Sequence, residues 1–437
     1  MKVAVVGAGW AGVAAAVAAC QAGHAVTLFE ATRHVGGRAR ALDLNLPDGT
    51  PVRVDNGQHI LIGAYTETLR LMRLVGVAPE TTLLRRPLAL PFVDGSGLQT
   101  PAWAANWPAP LDAMAAIATA RGWSWGERAS LIRAALGWQA RGFRCETRLS
   151  VAQLCHALAP RVVHELIEPL CVSALNTPAS QASASVFLRV LKDALFGVRG
   201  GSNLLVPRVD LGALFPEAAA HWLAQRGATV HRGRRVQQLR HTDSGWAVDG
   251  TAFDRVIWAT ASHHAASALV ESANHAPENI AHALTGWATT AAALHFECIA
   301  TVYAWAPQAR LPLPMLALRA TPHAPAQFVF DRGQLGGPSG LLAFVVSASQ
   351  GDGEAVQAAV LQQARTELAA LPLPALQPVR TVIEKRATFA CTPGLVRPPQ
   401  VIAPGLLAVG DYVHGPYPAT LEGAVRSATG CLGALAG

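Results

Sequence analysis

The chain opens on apolar and small-residue blocks whose lengths read as elements. Lys2 to Val6 is a short apolar run, the pattern of a strand buried on both faces. Gly7-Ala8-Gly9-Trp10-Ala11-Gly12 punctuates it as a turn, Val13 to Ala22 reads as a small-residue helix, and Ala25 to Phe29 as a second strand. Together they predict a βαβ unit. Far downstream, "GATVHRGRRVQQLR", a hairpin through "GWAV" and "FDRVIWAT" read as strand, hairpin and strand. "LLAVGD" then precedes a Pro-rich loop and a helix beginning around Pro418. Two long stretches separate these pieces. The first holds a mostly apolar helical region from Leu149 to Phe196, punctuated by Ser, Thr and Asn between Ser173 and Ser185. The second reads as strands in "AAALHFECIA" and "LLAFVVSAS" with a helix near Glu354 to Ala370. Trp125, Ala129, Ile132, Leu136 and Phe143 recur at helical spacing and predict one shared face, expected to pack on the core of that region.

The opening unit carries its own chemistry. Gly7 permits a tight turn, Gly9 lets backbone approach a diphosphate, and Gly12 lets helix and strand pack closely, with the helix N-terminus facing the phosphates. Glu30, at the end of the second strand, then reaches a ribose hydroxyl. The pattern therefore predicts a dinucleotide site. The following "EATRHVGGRARA" resembles the segment by which flavoproteins of the amine oxidase and phytoene desaturase superfamily wrap the diphosphate, which makes FAD the expected cofactor. In that reading Gly36, Gly37 and Arg38, assisted by Arg40, neutralise it. The resemblance extends to Gly410 and Asp411, which bring a carboxylate to the ribityl chain or diphosphate. The helix after Pro418, with Thr420 and Leu421 at its start, turns its amides toward the flavin ring, where they stabilise negative charge. It also implies Val236 beside the adenine and Gly57, in Asp55-Asn56-Gly57, near the ring.

Composition narrows the picture. A chain of 437 residues usually forms two or three domains, and one that is 51% hydrophobic and only 14% charged is apolar for a freely soluble protein. The net charge of +7 is almost entirely arginine, since Lys2, Lys192 and Lys385 are the only lysines. No zinc-finger, homeodomain or RNP-type pattern accompanies it, so no nucleic-acid partner is expected; an anionic membrane surface fits the charge better. Five tryptophans interleave with arginines between Trp103 and Arg144, a pairing suited to a bilayer interface, while no segment reads as a clean transmembrane helix. Seven widely spaced cysteines without Cys-x-x-Cys read as reduced thiols. The uncharged run from Val3 to Gly23 reads as folded structure rather than a signal peptide. The expected location is cytoplasmic, peripheral at the inner face of the cytoplasmic membrane.

Four longer stretches, "VDNGQHILIGAYTETLRLM", "EPLCVSALNTP", "VIEKRATF" and "GDYVHGPYPATLEGAVRS", resemble the squalene-associated flavoproteins of bacterial hopanoid synthesis, the hydroxysqualene dehydroxylases, over nearly the whole chain. The resemblance implies an α/β fold. A Rossmann-type FAD-binding domain is assembled from residues 1–75, 200–270 and 385–437, with a helical cap and membrane region in 76–199 and an α+β substrate domain with a sheet in 271–384. It implies reductive removal of a hydroxyl from a long apolar isoprenoid, with electrons from an unidentified donor. An allylic hydroxyl departs most easily with a proton donor; His59 is the first candidate and Glu168 the second, followed by His156, Tyr412 and His414. A carotenoid desaturase would use the same pieces for oxidation. An amine oxidase fits less well, because such enzymes usually use a lysine near the flavin. A flavin-binding membrane partner without catalysis is the reading from another class. No metal cluster or serine-hydrolase motif is present, and His263-His264 read as surface or loop residues.

Overall fold

The computed structural model describes residues 1–435. The opening block folds as its pattern dictates, with strands Lys2–Val6 and Ala25–Glu30 joined by the helix Trp10–Gln21. Both strands run parallel in a six-stranded sheet. Its order is Thr229–Arg232, Ala25–Glu30, Lys2–Val6, Arg255–Trp258, Leu406–Ala408 and Val401–Ala403, antiparallel only at the last pair. The central strands are apolar throughout because helices cover the sheet. Val13 and Val17 of the first helix pack with Leu28, Phe215, Leu223 and Val425 on one side. Strands distant in sequence thus converge on the carboxyl edge where the first helix begins. Beside it, Leu239–Thr242, Gly245–Val248 and Thr251–Phe253 form a small antiparallel sheet, with "GWAV" as its middle strand.

A second sheet is antiparallel, in the order Met315–Ala317, Phe328–Asp331, Leu341–Ser347, Phe296–Trp305 and Gln377–Phe389. Alternation sorts its side chains. Val329, Phe344 and Val302 face the helix Gly353–Glu367 through Val356 and Val360, whereas Phe328, Phe330, Val345 and Val382 face a cavity. The cap closes that cavity with the helices Leu111–Ala118, Trp125–Ala140, Glu168–Leu175 and Ala184–Phe196.

Four details differ from the sequence reading. In "AAALHFECIA" the first residues end the helix Glu278–Ala292, and the strand starts only at Phe296. The strand Gln377–Phe389 runs through the expected boundary between residues 384 and 385, so "VIEKRATF" joins the two sheets' territories. The helix expected from Pro418 starts at Leu421, because Pro418 and Ala419 precede a Thr420 cap whose Oγ1 accepts the Gly423 N–H at 3.0 Å. The predicted face of the Trp125–Ala140 helix is split: Trp125, Ala129 and Leu136 point outward, whereas Ile132, and Phe143 beyond the helix end, pack against the core. Trp125 is 78% and Leu136 53% exposed, while Leu131 and Trp138 are buried in their place. Periodicity revealed an apolar face but not which of two apolar faces the cap would cover.

Asp55 supplies a stability prediction. Its Oδ1 accepts the Leu211 N–H at 2.8 Å, while Oδ2 is buried without a partner. Burial raises its pKa to about 6, against Arg332 and the Leu211 amide, which lower it. A raised folded-state pKa favours folding below the ordinary value near 3.8 and loses that contribution as pH rises through about 6. Asp55→Asn removes the titration. The variant's stability relative to the natural protein is expected to improve between pH 4 and pH 8 by up to about 3 kcal/mol, read from urea melts. A pH-independent difference would contradict the assignment.

Candidate functional site

Every cofactor-binding candidate except Gly12 lines one cavity of about 980 Å³. Gly7 sits at φ +105°, with Ala259 O 2.9 Å from where a Cβ would stand. A Cβ on Gly12 would lie 1.8 Å from Gly7 O, so Gly12 is structural: it lets helix and turn touch. No side chain caps the Trp10–Gln21 helix, whose first residues, Trp10 and Ala11, line the cavity with Gly9. Gly36 crosses to Gly9 by a bridge, and a Cβ on Gly37 would stand 3.1 Å from Gly9 Cα. Two glycine turns therefore meet backbone to backbone. Beside them Arg40 Nε is buried without a partner, a donor left for an anion. Glu30 accepts the Ala8 N–H and the Thr32 N–H, both at 2.8 Å, which fixes its carboxylate at the strand end. Uncapped helix, paired glycine turns, an unpaired arginine donor and an oriented carboxylate fit the diphosphate and ribose of FAD.

Arg38 knots the three parts of this cradle together. Its Nη2 donates to Asp411 Oδ1 at 2.6 Å, and Nη1 donates to Ala387 O and to Arg386 O of the long strand. Asn56 Nδ2 donates to Arg38 O at 3.1 Å and to Glu384 at 3.3 Å, which places Gly57 in the same wall. Tyr412, buried, donates its hydroxyl to Thr260 O at 3.1 Å and holds the Gly410-Asp411 turn against the Ala259–Ala261 segment. Burial pushes this phenol well above its ordinary pKa, so it stays protonated. Val236 and Arg234 lie at the end beside Glu30, where Arg234 also covers the Phe29 ring at 5.4 Å. Pro418, Ala419, Thr420 and Leu421 line the same cavity.

Beyond the cradle the same cavity turns apolar. Leu131 and Trp138 from one cap helix, Leu166 and Ile167 from the next segment, and Phe328 and Phe330 from the second sheet line it. The proton-donor candidates separate here. His59 is on the wall, but its Nδ1 lies 2.8 Å from Gly57 O, an atom that only accepts, so Nδ1 carries the ring proton and Nε2 is left as an acceptor. Burial, with Arg38 nearby, depresses its pKa, which favours that neutral form. Glu168 is a correction. It is half exposed, outside the cavity, and accepts from His164 at 3.0 Å, because the helix turns this position away from the chamber. His156 and His414 are exposed and also outside. His263 and His264 meet at 4.0 Å with their rings tilted by 40° in the first turn of the helix Ser262–Ala273; His264 is a surface residue that also lines the cavity.

The residue reasoning from sequence missed is Tyr417, three positions before the Thr420 cap. It lines the cavity, and its Oη accepts from Arg189 Nη2 at 3.2 Å, leaving its own proton uncommitted. Arg189 is held by Asp193 at 2.9 and 3.1 Å, and Asp193 lines the cavity too. The "GPYPAT" loop was the available signal, since it sits where the ring is expected. Among the described residues no lysine lines the cavity, no group of three or more metal-ligating side chains occurs, and all seven cysteines are free.

Comparison with known proteins agrees with this geometry. The profile of the family described as flavin containing amine oxidoreductase matches residues 10–431. A hydroxysqualene dehydroxylase of Rhodopseudomonas palustris is 27% identical over 97% of this chain and 95% of its own length. One of Sinorhizobium fredii is 26% identical over 54% of each, so there the match spans about half of the relative. A probable zeta-carotene desaturase of Synechococcus elongatus is 26% identical over 59% of this chain and 56% of its own. Among solved structures, an oxidoreductase of Methanosarcina mazei superposes with a TM-score of 0.71 at 16% identity, over 99% of this chain and 100% of its own.

Proposed function

The chain belongs to the flavin-containing amine oxidoreductases and is an FAD-dependent oxidoreductase; from that premise we propose that it removes the hydroxyl of hydroxysqualene reductively, giving squalene. The observation that carries the reading is the single cavity that runs from the dinucleotide cradle into an aliphatic and aromatic chamber, a space for a long hydrocarbon beside the cofactor. The names of the Rhodopseudomonas and Sinorhizobium relatives support it. The absence of lysine from the described lining argues against amine oxidation.

Reduced FAD, when bound, would supply the hydride that forms the new C–H bond. The chain's part is to bind, to exclude water and to deliver a proton as the allylic C–O bond breaks and water leaves. An apolar chamber lined by Leu131, Trp138 and Phe330 disfavours solvent that would capture the allylic cation. Tyr417 is the proton source in this reading, with Arg189 and Asp193 holding its hydroxyl; His59 Nε2 accepts. Reducing equivalents come from a donor outside the chain.

Tyr417→Phe, which keeps the ring and loses the proton, is expected to lower kcat by about 100-fold with FAD retained and KM little changed. Wild-type kcat in this variant would remove Tyr417 from the mechanism. The reaction itself is tested anaerobically: reduce the bound FAD, add hydroxysqualene, and follow flavin reoxidation alongside mass spectrometry of the extracted hydrocarbon. Squalene formed in step with reoxidation supports the reading. Unchanged hydroxysqualene, with a carotenoid-type polyene oxidised instead, supports the desaturase reading that the Synechococcus relative favours.

A further inference from the structure

The cap exposes apolar side chains that a water-facing surface does not need. Trp103, Trp107, Leu111, Trp125, Leu136 and Val198 are between 42% and 78% exposed. Trp103 and Trp107 meet edge to face at 4.9 Å, and Arg199 donates to Asn106 O at 2.7 Å, which ties Val198 to the loop carrying that pair. The Trp125–Ala140 helix has two apolar faces: Leu131, Ala135 and Trp138 line the chamber, while Trp125, Ala129 and Leu136 face outward. One helix therefore separates the chamber from the exterior. Where that wall ends, Phe143 packs on Phe196 at 4.8 Å, and both rings line the chamber.

The charge around this face is predominantly positive. From residue 121 to 148 the chain carries six arginines, and its only acids are Glu127 and Glu146. Glu127 is occupied in the helix's own capping box with Ser124. Arg121, Arg133, Arg141, Arg144 and Arg148 are all exposed.

We propose that this face docks on an anionic bilayer, its tryptophans at headgroup depth, and that the Phe143–Phe196 pair is the portal through which an apolar substrate passes from lipid to chamber. Tryptophan sits favourably at the membrane interface and arginine is drawn to anionic headgroups, so one surface carries both attractions. A second copy fits worse, because a two-fold contact would bring the same arginines against one another. Attachment is peripheral, since no described helix is long and apolar enough to cross a membrane. The docking stands on the face itself; the portal rests on the reading of an isoprenoid substrate.

The test uses the full FAD-loaded chain in vesicle flotation, with phosphatidylcholine vesicles and with mixed phosphatidylcholine–phosphatidylglycerol vesicles. Binding to the mixed vesicles, weakened by salt, is expected. The triple variant Trp103→Ser, Trp125→Ser, Leu136→Ser is expected to bind about tenfold more weakly or worse, with unchanged flavin absorbance and melting. It should also turn over vesicle-borne substrate more slowly while keeping its rate in detergent. No binding to the mixed vesicles, wild-type binding by the variant, or a wild-type dimer in solution that the variant dissolves would each overturn docking. Equal loss of rate in vesicles and detergent would overturn the portal. Vesicle binding with no turnover of hydroxysqualene in either medium would instead overturn the substrate reading and leave docking standing.

Discussion

Gly12→Ala is expected to yield protein that purifies with less than about a tenth of the wild-type flavin absorbance and melts well below the natural chain. The added Cβ would lie 1.8 Å from Gly7 O, 2.9 Å from Gly7 C and 3.1 Å from Ala259 Cβ. The turn cannot retreat. Gly7 is held at φ +105° with its own missing Cβ against Ala259 O, and its N–H donates to Phe29 O at 2.8 Å. The helix must move instead, and its inner face is fully buried along Val13, Ala14 and Val17. Overpacking a core costs about 1–3 kcal/mol where side chains can adjust. Here the obstacle is backbone, so about 3 kcal/mol or more is expected, and the displaced helix N-terminus no longer meets a diphosphate. Gly23→Ala is the control: Gly23 sits at φ +81° in open space, so only the conformational cost of about 1–2 kcal/mol applies and FAD should be retained. A yellow Gly12→Ala protein with wild-type melting would contradict the placement of the turn.

Ala135→Trp is expected to leave FAD bound and reducible while lowering kcat/KM for a long isoprenoid by about 100-fold or more. Ala135 lies between Leu131 and Trp138 on the chamber face of the Trp125–Ala140 helix, so a bulky ring there projects into the space the substrate needs. The cradle's glycines, Glu30 and Asp411 stand on other elements and are untouched. The loss converts to about 2.7 kcal/mol of transition-state binding, more than one or two weakened apolar contacts would give. Ala129→Trp, on the exposed face of the same helix, should leave turnover in detergent unchanged. Wild-type kcat/KM in the Ala135→Trp protein would mean that substrate does not occupy this chamber.

Local features were readable directly from the chain. The turn Gly7 to Gly12, its flanking strands and Glu30 lie within thirty residues, so chain geometry alone dictates how they meet. The distant Gly410-Asp411 was legible only through its resemblance to the late strand of the flavoprotein superfamily. Whatever depends on which face meets which neighbour emerged only from the folded packing. Arg38 joins Asp411 and Ala387 across more than 340 positions, and Tyr417 meets Arg189 across 228. No periodicity encodes those pairings. The same limit removed Glu168, whose helical stretch is apolar on several sides and does not announce which side is the chamber. It also split the predicted Trp125 face, sending Trp125 and Leu136 outward while Ile132 and Phe143 pack inward. Hydrophobic spacing reports that a surface avoids water, and only packing reports whether protein or something outside it provides the cover.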